Sequence, residues 1–172
     1  HRPDLRFHFL RGNVQTRIRK LDEGIVQAII LAEAGLKRIN LENRISELLP
    51  VDYILPAIGQ GAIGIETRVG DEKTLKIIKH INDRDTWDCL LAERSLLKSF
   101  EGNCQIPLAG YCILKGDKLV LKAAIGDLEG KNLLRYEASS SREKALELGE
   151  YVANSLLENG AKEILEKVLQ DI

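Results

Sequence analysis

The 172-residue sequence contains no methionine, and it opens His1-Arg2-Pro3-Asp4 with no secretory-leader pattern. A piece of a longer protein is the expectation. Cysteine is scarce: Cys89, Cys104 and Cys112 are odd in number and lack metal-ligand spacing. That argues against a disulfide framework and for a reducing, cytoplasmic setting. The three histidines, His1, His8 and His80, are scattered, so nothing supports a zinc site. No apolar run approaches the roughly 20 residues that cross a bilayer. Neither charge sign dominates, with 25 basic against 26 acidic residues, so no global field favours nucleic acid or a membrane surface. Internal repeats and low-complexity segments are absent.

What is present is 44% apolar residues, enough for one large domain or two small ones. Alternation and aromatic content predict a strand over residues 5–10. Gly12-Asn13 turns the chain, and Asn13 is placed to cap a helix from about Val14 to Leu21, ending near Gly24. The apolar run Val26 to Leu31 reads as a buried strand, Ala32 to Ile39 as a short helix, and Arg44 to Leu49 as a further helical turn. Tyr53 to Pro56 reads as extended, Gly59-Gln60-Gly61 as a hinge or a close backbone approach to a ligand, and Ala62 to Arg68 as a strand. Alternating strands and helices predict an α/β layer with a parallel sheet.

A helix is expected over Asp71–Ile81, and the polar run Asn82–Asp85 is the candidate domain boundary. Thr86 to Phe100 reads as a second helix burying Trp87, Leu90, Leu91, Leu96 and Leu97, with Glu93 and Arg94 on its surface and Gly102 ending it. Three strands follow, Ala109–Leu114, Lys118–Ala124 and Asn132–Glu137, with turns at Gly116-Asp117 and Gly130-Lys131. Ser139 to Ser141 leads into a long amphipathic helix broken near Asn159-Gly160, and Ala161 to Leu169 closes the chain. The second half is thus an α+β domain with a three-stranded antiparallel sheet.

Three constellations could carry chemistry. Arg11 to Arg17 follows a strand signal and opens a helix, a geometry that gathers free N–H groups and the positive helix end. Gly12 would admit a ligand to the backbone, and Arg11 and Arg17 add forked donors for carboxylate or phosphate. The alternative is a solvated cationic helix face. Around Ala34-Gly35, small residues after a buried strand precede Lys37 and Arg38, and both clusters could face one cleft. Ordinary helix packing is the other reading. Cys104 lies between a helix-stopping Gly102 and Pro107, on a loop without an adjacent histidine. A Cys-His nucleophile is therefore poorly supported, and the residue is either a covalent attachment point or a half-buried loop thiol. Cys89 and Cys112 read as structural. Asp22 and Glu23 read as solvated, and no carboxylate pair stands out as an acid/base couple.

Taken together, LRGNVQTRIRKLDEG, AIILAEAGLKRI, LPAIGQGAIGIETR, AERSLLKSFEGNCQIPLAGY and NGAKEIL resemble the porphobilinogen deaminase (hydroxymethylbilane synthase) family, in the family's order and across the whole chain. The resemblance implies head-to-tail condensation of four porphobilinogen units into hydroxymethylbilane, with loss of ammonia. The growing pyrrole chain is carried on a dipyrromethane cofactor. In this family a thioether anchors that cofactor to the cysteine of a G-x-C-x-x-P loop, here Cys104. By similarity, Arg11, Arg17 and Arg38 bind the acetate and propionate groups. Gly12, Asn13, Ala34, Gly35 and Gln60 line the same cleft.

The resemblance also implies three domains, two of them periplasmic-binding-protein-like. Residues 1–57 correspond to most of the second, 58–83 to a hinge and a segment returning to the first, and 84–172 to the third, cofactor-bearing domain. The family's catalytic aspartate and its neighbouring lysine lie in the first domain and have no counterpart here. The chain alone is therefore expected to be inactive, to need its missing N-terminal domain, and to leave apolar surface exposed over 61–80. The full-length protein is expected to be a cytoplasmic monomer. A non-catalytic carboxylate-binding module, with Cys104 structural, is the alternative.

Overall fold

The computed structural model describes residues 2, 4–100 and 106–170. The chain divides into two compact units, His1–Pro50 and Val51–Ile172.

In the first unit, α1 spans Val14–Asp22 and α2 spans Glu33–Arg38. Asn13 caps α1 as its sequence position predicts: its side chain accepts the Thr16 N–H at 2.8 Å. A 3-10 turn at Glu42–Arg44 replaces the helical turn expected over Arg44–Leu49. Ile18 on α1 and Leu36 on α2 are its buried apolar residues.

The strands expected at 5–10 and 26–31 are extended or bent chain without ladder partners, and so are 53–56 and 62–68. Among the described residues no strand precedes Leu108. The reason is physical. A strand exists only where a neighbour accepts its N–H groups, and a parallel strand also needs cover on both faces. Alternation alone supplies neither, so Phe7 and Phe9 stand 91% and 98% exposed. The α/β expectation is corrected to this extent. The expected exposure of apolar surface over 61–80 is observed at Ile63, Ile65, Val69 and Ile77.

In the second unit, α3 (Glu72–Ile78) continues as a 3-10 turn to Ile81. The polar run Asn82–Asp85 contains a cap: the Asp83 side chain accepts the Thr86 N–H at 2.7 Å and starts α4, Arg84–Ser99. Strands β1 (Leu108–Lys115), β2 (Lys118–Gly126) and β3 (Leu133–Ser141) form one antiparallel sheet in the order β1-β2-β3. Its register pairs Tyr111 with Lys122 and Lys122 with Glu137. The third strand runs on through Ser139–Ser141, residues expected to lead into the helix. Helix α5 is Ala145–Leu156, and after a π-type turn with Gly160 at φ 101°, α6 runs Lys162–Gln170.

Period-2 patterning puts Leu119, Leu121, Ala123 and Ile125 of β2 on one face, buried under α4 and α5. Ala92, Leu96, Leu148, Val152 and Leu156 complete that core from the helices. Two assignments on α4 are reversed. Trp87, expected inside, is half exposed, whereas Glu93, expected on the surface, is buried.

Candidate functional site

The first cluster is built at the start of α1. Gly12 has φ 122°, a conformation open to glycine, and a side chain there would meet Thr16 Cγ2 at 2.7 Å. The space beside Gly12 is therefore filled by Thr16. Arg17 folds back so that its Nε donates to the Gly12 carbonyl at 2.8 Å, and Lys20 Nζ donates to the Arg11 carbonyl at 3.1 Å. These bonds hold the turn. They also leave the two terminal amino groups of the Arg17 guanidinium for other acceptors. Gly35 of α2 lies against α1, with its Cβ position 3.6 Å from Val14 Cγ2. The first turn of α1 and the first turn of α2 are thus in contact at Val14 and Gly35.

Charge pairing separates these cations into two sets. Arg19 pairs with Glu23 at 3.6 Å, Lys37 with Glu33 at 2.6 Å, and Arg44 with Asp22. Among the described residues no carboxylate pairs with Arg11, Arg17 or Arg38, although Arg11 and Arg38 are exposed. Asp22 and Glu23 are themselves about half exposed. Arg11 and Arg17, free of carboxylate partners among the described residues and placed at the start of α1, can bind carboxylates by forked hydrogen bonds.

Cys104 and its neighbours 101–105 lie outside the described residues, and so does Gly102 as the end of α4. Phe100 caps α4 on one side of this segment, and Leu108 opens β1 on the other. The other two cysteines are free thiols on α4 and β1. Burial pushes the thiols of both Cys89 and Cys112 upward, Cys112 far above the usual range. Burial thus disfavours the thiolate that nucleophilic or metal chemistry needs at both, and no metal-holding cluster occurs among the described residues.

A functional arrangement that the sequence reading missed surrounds the Gly59-Gln60-Gly61 hinge. Residues 52–59 form a strap over the sheet and around its β1 edge. Lys122 pairs with Asp52, and Arg135 Nη1 donates to the Asp52 carbonyl at 2.8 Å. Pro56 O accepts the Gly110 N–H at 3.1 Å, and Ala57 bridges Ala109 in antiparallel fashion. Ile58 packs on Gly110, where any Cβ would come within 2.9 Å of Ile58 Cγ1. The buried Glu93 carboxylate then accepts the Gly59 N–H and the Cys112 N–H, each at 2.9 Å. Burial raises the Glu93 pKa, against the downward pull of those two bonds. The signal was there: Glu93 sits three residues after Leu90 and four before Leu97, inside the apolar stripe of α4. Gln60 follows the latched Gly59 directly and is exposed.

Residues 1–76 match the model of the porphobilinogen deaminase dipyromethane cofactor binding domain, and residues 87–158 match that of the porphobilinogen deaminase C-terminal domain. Cys104 falls within the second match. A porphobilinogen deaminase of Trichlorobacter lovleyi is 46% identical over 169 residues, which cover 98% of this chain and 54% of that relative. The chain thus spans about half the length of the curated relative it matches. With both domain models matched in order and nearly the whole chain aligned, this chain belongs to the porphobilinogen deaminase family.

Proposed function

We propose that this chain supplies the cofactor anchor and much of the carboxylate-binding surface of a hydroxymethylbilane synthase. That enzyme condenses four porphobilinogen units head to tail, releasing ammonia. The observation that carries the reading is that, among the described residues, no carboxylate pairs with Arg11 or Arg17 at the start of α1 or with Arg38 at the end of α2, whereas Arg19, Lys37 and Arg44 are paired. Each porphobilinogen ring bears two carboxylates, so a run of linked rings needs several forked donors at once. Gly12 and Asn13 shape that turn, and Ala34 and Gly35 sit next to it. By similarity to the family, Gln60 at the hinge is a further substrate-binding residue.

Dipyrromethane, when bound, supplies the pyrrole terminus that is extended. Cys104 would hold it through a thioether, and because a single thiolate alkylation forms that bond, the residue needs no permanent base beside it. The flanking residues fit that role, because α4 and β1 tie both ends of the segment to a packed core. The chain's own residues then bind and orient the carboxylates. No residue here is assigned the proton transfers at the pyrrole nitrogen. The catalytic aspartate of the family belongs to the N-terminal domain, and the chain by itself is inactive.

The same reading gives the unpaired segments 5–10, 26–31 and 62–68 a place. They are strands of a periplasmic-binding-protein-like layer once the N-terminal domain supplies neighbours. Residues 1–57 then form most of the second domain, 58–83 the hinge and returning segment, and 84–172 the third domain. The working protein is a cytoplasmic monomer. Among the described residues no helix is long and apolar enough to cross a membrane.

The test is intact mass spectrometry of the full-length protein and of Cys104→Ser. An adduct of two pyrrole units that maps to Cys104 and vanishes in the variant is the expected result. A full-length protein that turns over porphobilinogen with Cys104 unmodified would overturn the assignment and leave Cys104 structural.

A further inference from the structure

We propose that Glu93 is a positioning residue, a latch that fixes the hinge strap to β1, the strand that follows the cofactor-bearing segment in the chain. The proposal rests on the reading of Cys104 as the anchor. Strand β1 is an edge strand, so its outward N–H groups need acceptors from outside the sheet. Two of them have one. Gly110 N–H is taken by Pro56 O of the strap, and Cys112 N–H by Glu93 from α4. The second oxygen of Glu93 reaches Gly59, the last residue of the strap. One carboxylate therefore joins three chain segments: the helix before the Cys104 segment, the strand after it, and the residue before Gln60.

The environment makes this a latch and not an incidental contact. Glu93 is 5% exposed, and among the described residues no cation pairs with it. A buried carboxylate held only by main-chain donors is costly unless both bonds form together. Both bonds are 2.9 Å long, so both amides are within full hydrogen-bond reach of the carboxylate. Beyond Gly59 the chain opens: nothing lies within 4 Å of a side chain placed at Gly59 or Gly61, and no regular element forms before α3. Movement of the returning segment must then pivot at Gly59–Gly61, while Glu93 holds Gly59, and with it the start of Gln60, to α4 and β1.

The 172-residue chain suffices for the test, with Glu93→Gln as the isosteric variant and Glu93→Ala as the deletion. Residue-resolved amide exchange at Gly59, Gly110 and Cys112 is measured alongside the rate of Cys104 alkylation by iodoacetamide. In Glu93→Ala, exchange at Gly59 and Cys112 should rise by about tenfold or more, the change expected for losing a charge-assisted bond, and the Cys104 rate should change with it. Glu93→Gln keeps one acceptor and should release one of the two amides while partly restoring the Cys104 rate. Unchanged exchange in a folded variant overturns the latch. Faster exchange with an unaltered Cys104 rate overturns the positioning role. If the full-length parent carries no adduct on Cys104, the cofactor reading fails while the exchange result still decides whether the latch exists.

Discussion

Asp88 on α4 is buried, and it accepts the Nε of Arg142 at 2.9 Å across the corner where β3 ends. Arg84, one turn earlier on the same helix, donates to it at 2.9 Å, and Arg142 also reaches Asp85 at 2.6 Å. This network ties the start of α4 to the turn that leads into α5. Desolvation is the largest single influence on Asp88 and opposes its charge. The hydrogen bonds from Arg142 and Arg84 outweigh it and hold the pKa below the ordinary aspartate value.

Asp88→Asn should therefore destabilise the C-terminal unit by about 2 kcal/mol, as expected when charged hydrogen bonds are lost at a buried site. Urea unfolding followed by far-UV circular dichroism measures it. A midpoint within error of the parent would show the arginines to be solvated bystanders.

Gly149 on α5 faces α4 so closely that a Cβ would lie 2.5 Å from Ser95 Cβ and 2.6 Å from the Leu96 amide nitrogen. Alanine normally favours a helix interior by about 1 kcal/mol over glycine. Here backbone atoms block the methyl group, and overpacking of this kind costs roughly 1–3 kcal/mol. The sum is unfavourable, so Gly149→Ala should lower the thermal midpoint. Gly35→Ala, whose Cβ would meet only Val14 at an ordinary 3.6 Å, should not.

Local signals carried most of what was legible in the sequence. Asn13 as a cap and Gly116 at the first hairpin turn depend on nearby residues alone, and the strands of the sheet came out within a few positions. Val26–Leu31 failed because a buried strand is defined by neighbours, which an apolar run cannot report. Glu93 and Trp87 were exchanged because side-chain polarity was read in place of helix phase: one carboxylate on the buried stripe is satisfied by two main-chain N–H groups. Arg11, Arg17 and Arg38 were identifiable as candidates, but that no carboxylate among the described residues pairs with them is a three-dimensional fact.

Thiol reactivity separates the cysteines. Cys112 is buried against β2 and Cys89 half-buried beside it, both with thiols held protonated by burial. In the native chain at pH 8, iodoacetamide should label Cys112 at least about a hundredfold more slowly than in urea, since reaction needs local opening. Peptide mapping reads this directly. Rapid native labelling of Cys112 would contradict the packing of β1 on α4.

Two carboxylates on α4 should give stability opposite pH dependences. Asp88 has a lowered pKa, so its contribution is complete above the ordinary aspartate value of 3.8 and is lost as pH falls through the folded-state value. Glu93 has a raised pKa, so its folded state takes up a proton before the unfolded chain does. Its contribution is complete below the ordinary glutamate value of 4.5 and declines as pH rises through the raised value. Urea midpoints measured from pH 3 to pH 8 should thus keep the acid-side loss in Glu93→Gln while losing part of the decline above the glutamate value. Asp88→Asn should do the reverse. The comparison must be made between variants, since every other carboxylate adds to the parent profile. If Glu93→Gln leaves the slope above the glutamate value unchanged, the carboxylate is solvated in solution, and its bonds to Gly59 and Cys112 are not the ones that hold the strap.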